Sequence, residues 1–320
     1  MKTPQFLQLH RPDDHALAAE AAAGLRAQPA RLSPKFFYDA LGSRLFDAIT
    51  ELDEYYPTRT EAAIFEAHGQ AIASAALVAT GARPVLVDLG AGNCAKAARL
   101  FGVLAPRRYV AVDISVDFLR QSLAQLQRAH PDLDLLGLGL DFSTRLQLPA
   151  GTAPAPALVF YPGSSIGNFA PADALRLLRD ARAVAVGGAL LIGVDLVKPT
   201  ALLEAAYDDD LGVTAAFNLN LLKHLNRLLG SDFDVRGWRH VAQFNATESR
   251  IEMHLEARAA TAVRWPGGER VFAAGERIHT ENSYKWTPEG FAALLHEAGF
   301  AEVQPWTDGR GWFGVFLATG

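Results

Sequence analysis

The stretch Val85-Leu-Val-Asp-Leu-Gly-Ala-Gly-Asn-Cys-Ala-Lys96 predicts the fold of this chain. Its apolar, β-branched start is typical of a buried strand, and Gly90 and Gly92 then turn the chain into Ala-rich sequence that favours a helix. Neither glycine has a Cβ, so the backbone can turn tightly and approach a ligand there. A strand, a glycine turn and a helix start together form the nucleotide-binding corner of an open α/β sheet.

A second acidic residue, Asp113, ends the next apolar run, Tyr109-Val-Ala-Val-Asp113. A carboxylate at this spacing accepts hydrogen bonds from a ribose diol, which favours a nucleoside cofactor. The dinucleotide fingerprint tolerates Ala95 at its third position, so NAD or FAD fits this corner, and S-adenosylmethionine fits it too. This stretch does not choose between them.

Composition narrows the class of protein. Half of the 320 residues are hydrophobic and the net charge is −5, which predicts a globular protein without the basic field that nucleic acid needs. The single cysteine suits a reducing compartment. The N-terminus lacks the apolar core of a signal peptide, and the run from Ala183 to Val194 is too short to cross a bilayer. We therefore expect a cytoplasmic monomer that contacts neither nucleic acid nor membrane. Scattered histidines, His254 and His279 among them, predict no metal site.

Strands and helices alternate after Val85. Further strands are predicted over Leu135–Leu140, Ala157–Tyr161 and Gly188–Val194, with crossovers long enough for a parallel sheet. Asp141 and Phe142 follow the first of these, where a carboxylate and a ring can recognise adenine; a helix N-cap with a core Phe explains them equally well. Asn168 lies in the Gly163-Ser-Ser-Ile-Gly-Asn168 loop, at the sheet edge where ligands bind.

A second domain interrupts this pattern. Residues 1–60 are predicted to be its helical part, with a helix starting at Ser33-Pro34 and carrying Phe37, Leu41 and Leu45 on one stripe. Residues 199–286 are predicted to be inserted between the two parts of the sheet domain, 61–198 and 287–320. Within the insertion, Arg250–Arg258 alternates like a half-buried antiparallel strand, with Val271–Ile278 as the expected partner.

Motifs along nearly the whole chain resemble those of the histidine-specific Nα-methyltransferases of ergothioneine biosynthesis. They are Lys35-Phe-Phe-Tyr-Asp-Ala-Leu-Gly-Ser43, Glu54-Tyr-Tyr-Pro-Thr-Arg-Thr-Glu61, Gly163-Ser-Ser-Ile-Gly-Asn168, Asp195-Leu-Val-Lys198, Tyr207-Asp-Asp209, Gly212-Val-Thr-Ala-Ala-Phe-Asn218, Arg250-Ile-Glu-Met253 and Thr280-Glu-Asn-Ser-Tyr-Lys285. The resemblance implies an α/β fold: a seven-stranded Rossmann-like class I methyltransferase sheet with a second α+β substrate domain. It also implies S-adenosylmethionine as cofactor and free L-histidine as substrate.

The resemblance implies site residues as well. The cofactor set is Gly90, Gly92, Lys96, Asp113, Asp141 and Phe142, with Lys96 on the methionine carboxylate. The histidine set is Tyr55, Asn168, Tyr207, Met253, Glu281, Asn282 and Ser283. In this set Asn168 and Tyr207 match the α-carboxylate end, and Tyr55, Glu281 and Ser283 match the imidazole side, with Met253 beside them. Asn282 replaces an apolar residue of the relative compared, and Tyr284 and Trp286 are bulkier than expected.

The implied reaction is in-line attack of the neutral α-amine on the sulfonium methyl, repeated to the trimethyl product, hercynine. No residue declares itself as a base; Tyr38 and Tyr55 are the candidates. Two alternatives stay open: methylation of another free amino acid or small amine, and a cofactor-binding partner subunit without turnover. A nucleic-acid methyltransferase fits less well, since Tyr161-Pro-Gly-Ser164 replaces an Asn-Pro-Pro-Tyr type of loop.

Overall fold

The structure is a computed structural model that describes residues 2–9 and 14–320. The strands over these residues are β1 (Gln5–Gln8), β2 (Ala30–Arg31), β3 (Val85–Leu89), β4 (Arg108–Asp113), β5 (Asp134–Gly139), β6 (Ala157–Tyr161), β7 (Ala189–Asp195), β8 (Trp238–Asn245), β9 (Arg250–Ala257), β10 (Thr261–Trp265), β11 (Gly268–Phe272), β12 (Arg277–Tyr284), β13 (Glu302–Thr307) and β14 (Phe313–Thr319). The α-helices are α1 (Asp14–Arg26), α2 (Ala40–Ile49), α3 (Tyr56–Thr80), α4 (Ala95–Ala98), α5 (Phe101–Leu104), α6 (Val116–Ala129), α7 (Pro171–Val184), α8 (Thr200–Ala205), α9 (Val213–Leu229) and α10 (Pro288–Glu297).

The chain divides into two compact units, with residues 1–11, 59–197 and 285–320 in the first and 12–58 and 198–284 in the second. We call the first the sheet unit and the second the inserted unit. In the sheet unit the strands run in the order β1-β5-β4-β3-β6-β7-β14-β13. All neighbours pair in parallel except around β14, which is antiparallel to both β7 and β13. The predicted α/β fold with a largely parallel sheet is confirmed, and the sheet has eight strands where seven were expected.

The central strands are apolar on both faces because helices cover both sides. Every residue of β3 and of β6 is buried. Val85 and Val87 pack in a core with residues of α7 and α10, while Leu86 packs on the other face with residues of α3 and α6. Burial on two faces explains why these strands are continuous apolar runs rather than alternating ones.

One strand of the sheet unit was not expected. Gln5–Gln8 forms β1 and pairs in parallel with β5, although the sequence analysis predicted a helical start. Its side chains are mostly exposed. An edge strand needs little apolar sequence because backbone hydrogen bonds to its neighbour hold it in place, so its signal in the sequence is weak.

Among the described residues, one helix, α3, is long and apolar enough to cross a membrane. This is weak evidence for a membrane span, because helices in a protein core satisfy the same criteria of length and composition. Ile64, Ile72, Ala73 and Ala76 of this helix are buried in the core of the sheet unit. Its apolar residues are therefore used in covering the sheet.

The inserted unit contains a four-stranded sheet in the order β2-β12-β9-β8 and a separate hairpin of β10 and β11. Strands β12, β9 and β8 are antiparallel neighbours. Helix α9 packs on α1, α2, β8 and β9, and its Phe217 stacks on Phe37 with ring centroids 4.5 Å apart. Residues 206–212 separate α8 from α9.

Three local predictions for the inserted unit are wrong. Ser33-Pro34 begins only a 3-10 turn, Pro34–Phe37, and the helix starts at Ala40 after an Asp39 cap, with Leu41 exposed. The partner of β9 is β12, which shares only Arg277 and Ile278 with the predicted range, whereas Val271 lies in β11 and pairs with β10. Strand β9 is buried on both faces from Ile251 onward rather than half-buried. Its Glu256 is paired with Arg239 and Arg277, and this charge pairing allows a polar face to be buried.

Candidate functional site

The glycine turn after β3 has the predicted geometry. Gly90 and Gly92 have φ values of +68° and +51°, in the left-handed region that favours glycine. The Gly92 N–H donates to Asp113 Oδ2 at 2.8 Å, and the Ser115 N–H donates to Asp113 Oδ1 at 2.8 Å. Two backbone donors therefore orient the Asp113 carboxylate at the end of β4. A carboxylate has about four lone-pair sites, so Asp113 can accept further hydrogen bonds, such as those of ribose hydroxyls.

Lys96 lies in an ion pair that the sequence analysis did not predict. Its Nζ is 2.6 Å from Glu61 Oε2, and Oε1 of the same carboxylate accepts the Gly163 N–H at 2.8 Å. Glu61 is 2 % exposed. It belongs to a motif quoted for the family resemblance, Glu54–Glu61, but its sequence position alone gives no hint of a partner on α4.

The remaining predicted residues of the sheet unit follow the ends of neighbouring parallel strands. Asp141 and Phe142 come directly after β5, and the Phe142 ring meets the Tyr161 ring edge-on, with centroids 5.9 Å apart. Asn168 ends the short 3-10 helix Ser165–Asn168 after β6. Together with Gly90 and Asp113 they lie beyond the carboxyl ends of β3 to β6, where open α/β sheets bind ligands.

Asp88, beside the glycine turn, is a buried carboxyl group that the sequence analysis did not single out. It is 2 % exposed and accepts the Tyr109 hydroxyl on Oδ2 at 2.6 Å. Burial raises its pKa from 3.8 to about 7, against the lowering effect of the Tyr109 hydrogen bond. Oδ1 has no hydrogen-bond partner among the described residues, as suits a carboxyl group that holds a proton.

The raised pKa of Asp88 predicts a pH-dependent stability. Between pH 3.8 and about 7 the folded protein holds a proton that the unfolded chain has released, so this group lowers the free energy of unfolding as pH rises through that window. In the Asp88→Asn variant this loss is absent. We expect its unfolding free energy to fall less between pH 5 and pH 8 than that of the wild type, by at least about 1 kcal/mol. Urea unfolding at both pH values measures this difference. An Asp132→Asn control, at an exposed site, keeps the wild-type profile; equal profiles for Asp88→Asn would contradict the prediction.

Most residues of the predicted histidine set lie in the inserted unit. The Tyr207 hydroxyl donates to Ser283 Oγ at 2.7 Å, and the Tyr55 ring meets the Tyr207 ring edge-on with centroids 6.3 Å apart. Glu281 pairs with Met253 across β12 and β9, so the two side chains share a face of the sheet. Ser283, two residues on, shares that face. Glu281, Met253, Ser283 and Tyr207 are all buried. We call Tyr55, Tyr207, Met253, Glu281 and Ser283 the polar cluster.

His240 contacts the backbone of Tyr207, a member of the polar cluster, and was not predicted. The Asn218 amide donates to His240 Nδ1 at 2.8 Å. This leaves the proton on Nε2, which lies 2.7 Å from the Tyr207 carbonyl oxygen and donates to it. Burial lowers the pKa of His240, so the ring is neutral near pH 7. The motif ending in Asn218 was quoted for the resemblance, but only the fold brings it to His240.

Asn282 does not lie with Glu281 and Ser283. Strand alternation places it on the opposite face of the sheet, where its Oδ1 is 2.7 Å from His279 Nε2. Tyr284 lies on that same opposite face, and its hydroxyl is 2.5 Å from an Arg250 nitrogen. We therefore leave Asn282 out of the proposed histidine-binding residues.

The two tyrosines considered as bases have different surroundings. Tyr55 contacts Tyr207 within the polar cluster, whereas the ring neighbours of Tyr38 are Phe46 and Phe217. Over residues 2–9 and 14–320, no group of three His, Cys, Asp or Glu side chains is placed to hold a metal ion.

Comparison with known proteins identifies the family of the chain. The profile of the family described as "Histidine-specific methyltransferase, SAM-dependent" matches residues 17–320. Two relatives are the histidine N-alpha-methyltransferases of Mycolicibacterium smegmatis and Mycobacterium tuberculosis. Their sequences are 43% and 40% identical to this chain, each over 95% of this chain and 94% of the relative. Ergothioneine biosynthesis protein 1 of Neurospora crassa is 32% identical over 88% of this chain and 32% of its own length. The chain therefore belongs to the S-adenosylmethionine-dependent, histidine-specific methyltransferase family.

Proposed function

We propose that this protein transfers methyl groups from S-adenosylmethionine to the α-amine of free L-histidine, three times in succession, to give the trimethyl betaine used in ergothioneine biosynthesis. The observation that carries the substrate assignment is the polar cluster, in which a buried carboxylate, Glu281, shares a strand face with the Ser283 hydroxyl. The high identity to histidine N-alpha-methyltransferases over 95% of the chain supports the same substrate.

The cofactor is proposed to lie at the carboxyl edge of the sheet unit. Asp113 would accept from the ribose hydroxyls, and Asp141 and Phe142 would hold the adenine. Lys96 would bind the methionine carboxylate. When bound, S-adenosylmethionine supplies an electrophilic methyl group on a positively charged sulfur.

Histidine is proposed to bind through its two ends. Glu281 would accept the imidazole N–H, and the Tyr207 hydroxyl would turn its one proton from Ser283 to the α-carboxylate of the substrate. The resemblance gives Asn168 the same function. The hydrogen bond between Tyr207 and Ser283 supports this proposal, because one residue is assigned to each end of the substrate. His240 donates to the Tyr207 carbonyl oxygen and holds that backbone in place.

The chemistry required of the protein is positioning. In each transfer the neutral amine lone pair forms a bond to the methyl carbon, the carbon–sulfur bond breaks, and sulfur keeps the electron pair as S-adenosylhomocysteine. Good alignment of two bound reactants is worth roughly 7–11 kcal/mol of the barrier. The amine must lose a proton before each attack, and Tyr55 is the better placed of the two candidate bases because it contacts Tyr207.

Trimethylation limits how the protein holds the amine. The product nitrogen has no N–H, so strong direct acceptors there would be left unsatisfied after the third transfer. We therefore propose that contacts to the nitrogen are weak or mediated by water and that specificity is carried by Glu281 and the carboxylate end. A bound structure with two direct protein acceptors on the amine would contradict this.

Mass spectrometry tests the proposed function directly. L-Histidine incubated with the protein and S-adenosylmethionine is expected to gain one to three methyl groups on the α-nitrogen. Histamine, which lacks the carboxylate, and phenylalanine, which lacks the imidazole, are expected to react far more slowly because a buried polar group is then left unpaired. Absence of methylated histidine, with cofactor binding verified, would refute the substrate assignment and favour another small amine. Cofactor binding without turnover on any amine would favour the partner-subunit alternative.

The expectations of a monomer and of a cytoplasmic location remain proposals. They are supported by the net charge of −5 and by the packing of the apolar side of α3 into the core of the sheet unit. Light scattering at several protein concentrations tests the first, and a dimer mass would contradict it.

A further inference from the structure

We propose that Glu61 is a positioning residue of the cofactor site, which holds the Lys96 ammonium where the carboxylate of S-adenosylmethionine binds. The inference rests on the proposed role of Lys96. It concerns the methionine end of the cofactor alone, and the adenosine end is assigned to other residues, Asp113, Asp141 and Phe142.

The ion pair of Glu61 and Lys96 is asymmetric in its exposure. The Glu61 side chain is 3 % exposed and that of Lys96 is 36 % exposed, with Oε2 and Nζ 2.6 Å apart. A buried carboxylate requires a partner, and Lys96 provides it. An ammonium group has three N–H donors, so Lys96 can bind Glu61 with one and offer the others on its exposed side to an anion.

Glu61 also binds the loop that follows β6. Its Oε1 accepts the Gly163 N–H at 2.8 Å, and Gly163 has a φ of +77°. A Cβ at Gly163 would lie 2.8 Å from Lys96 Nζ. The carboxylate therefore links α3, α4 and this loop at one point, and the lysine passes directly over a residue that has no side chain.

The sheet is shaped to admit the Glu61 carboxylate. Gly193, in the middle of β7, faces it, and a Cβ there would lie 2.1 Å from Glu61 Oε1. Glycine within a central strand is unfavourable and marks a site where another group approaches closely. The absence of a side chain at Gly193 leaves the space that the carboxylate fills.

These contacts act on a flexible side chain. A lysine side chain has four rotatable bonds, and fixing it in one rotamer costs up to about 2 kcal/mol of conformational free energy. Glu61 holds the Lys96 side chain in one position before the cofactor binds, so binding of the cofactor loses less side-chain entropy. Both carboxylate oxygens are engaged with Lys96 and Gly163, so Glu61 acts on the cofactor through Lys96.

Calorimetry with two ligands tests this role. S-Adenosylhomocysteine carries the amino-acid tail, and 5′-methylthioadenosine has the same adenosine and sulfur without it. The Glu61→Gln variant is expected to bind S-adenosylhomocysteine roughly 10- to 100-fold more weakly, since a charge-assisted hydrogen bond to the lysine is lost. Its affinity for 5′-methylthioadenosine is expected to stay at the wild-type value. Glu66→Gln, an exposed glutamate on the same helix, is the matched control and should change neither affinity.

A double-variant cycle completes the test. Lys96→Met should lose the preference for S-adenosylhomocysteine, and adding Glu61→Gln to it should cause no further loss, because the two residues act as one unit. The double variant buries no unpaired charge, so it remains measurable if Lys96→Met alone, which leaves the buried Glu61 carboxylate without its counter-charge, fails to fold. Equal weakening of both ligands by Glu61→Gln, or no weakening of either, would overturn the proposal. So would wild-type binding by Lys96→Met. No histidine is present in the assay, so these failures leave the proposed methylation untouched.

Discussion

Replacing Glu281 by alanine is expected to lower kcat/KM for L-histidine by roughly 100-fold or more, with cofactor affinity unchanged. Glu281 is 8 % exposed and lies on β12 beside Met253, so truncation removes a buried acceptor that water does not readily replace. The imidazole N–H would then be buried without a partner, and that desolvation penalty appears in both binding and catalysis. Initial rates over a range of histidine concentrations measure the loss, and titration with S-adenosylhomocysteine checks the cofactor site.

The neighbouring residue supplies the control for this experiment. Asn282→Ala is expected to keep near-wild-type kcat/KM, because Asn282 lies on the opposite face of the sheet and contacts His279. Glu281→Gln, which keeps an acceptor oxygen without the charge, is expected to fall between the wild type and the alanine variant. Equal losses in Asn282→Ala and Glu281→Ala would show that disturbance of β12, and not recognition of the imidazole, causes the effect.

The Lys285→Met variant is expected to lose about 3–5 kcal/mol of unfolding free energy. Lys285 Nζ lies 2.8 Å from Asp195 Oδ2, and the two side chains are 0 % and 1 % exposed. The pair lies within the sheet unit, where the backbone after β7 pairs with Trp286. Removal of the ammonium leaves a carboxylate buried in a medium of low dielectric constant without its counter-charge, and this is far more costly than loss of a surface pair.

Denaturant unfolding measures this change. The double variant Asp195→Asn, Lys285→Met is expected to recover part of the loss, because no uncompensated charge is then buried. The control variant Arg176→Met removes a surface ion pair between Arg176 and Asp173, in which the two side chains are 48% and 47% exposed. It is expected to lower the free energy of unfolding by less than about 1 kcal/mol. A Lys285→Met variant no less stable than Arg176→Met would show that the buried pair contributes no more than a surface one.

The cofactor corner was predictable from the sequence because its information is local. The run from Val85 to Lys96 contains the strand, the glycine turn and the start of the next helix, and Asp113 follows one strand later. Backbone geometry at Gly90 and Gly92 depends on the residues themselves, and parallel strands bring their carboxyl ends to one edge. The parallel core of the sheet followed from the same alternation of strands and helices, whereas the edge strand β1 did not.

The inserted unit was harder to predict because several of its polar residues are buried, so the polarity of a residue does not indicate its exposure to solvent. The alternation of apolar and polar residues in β9 suggested one solvent-exposed face. Arg239 and Arg277 instead pair with Glu256 and allow both faces of the strand to be buried. The pairing of β9 with the whole of β12, and not with the earlier part of Val271–Ile278, likewise depends on contacts distant in sequence. The prediction for Asn282 rested on its neighbours in a motif, and strand alternation separates it from them.

By itself the sequence determined the sheet, its cofactor corner and, through motifs that match a known family, the candidate substrate residues. Only the tertiary structure decided which partners complete those residues. Glu61 meets Lys96 from a helix that precedes the glycine turn, His240 meets the Tyr207 carbonyl from a strand, and Lys285 meets Asp195 across the whole inserted segment. The physical reason is the range of the interactions: turns and periodicity act between near neighbours in the chain, whereas buried charges and hydrogen bonds are satisfied by whatever the fold brings within reach.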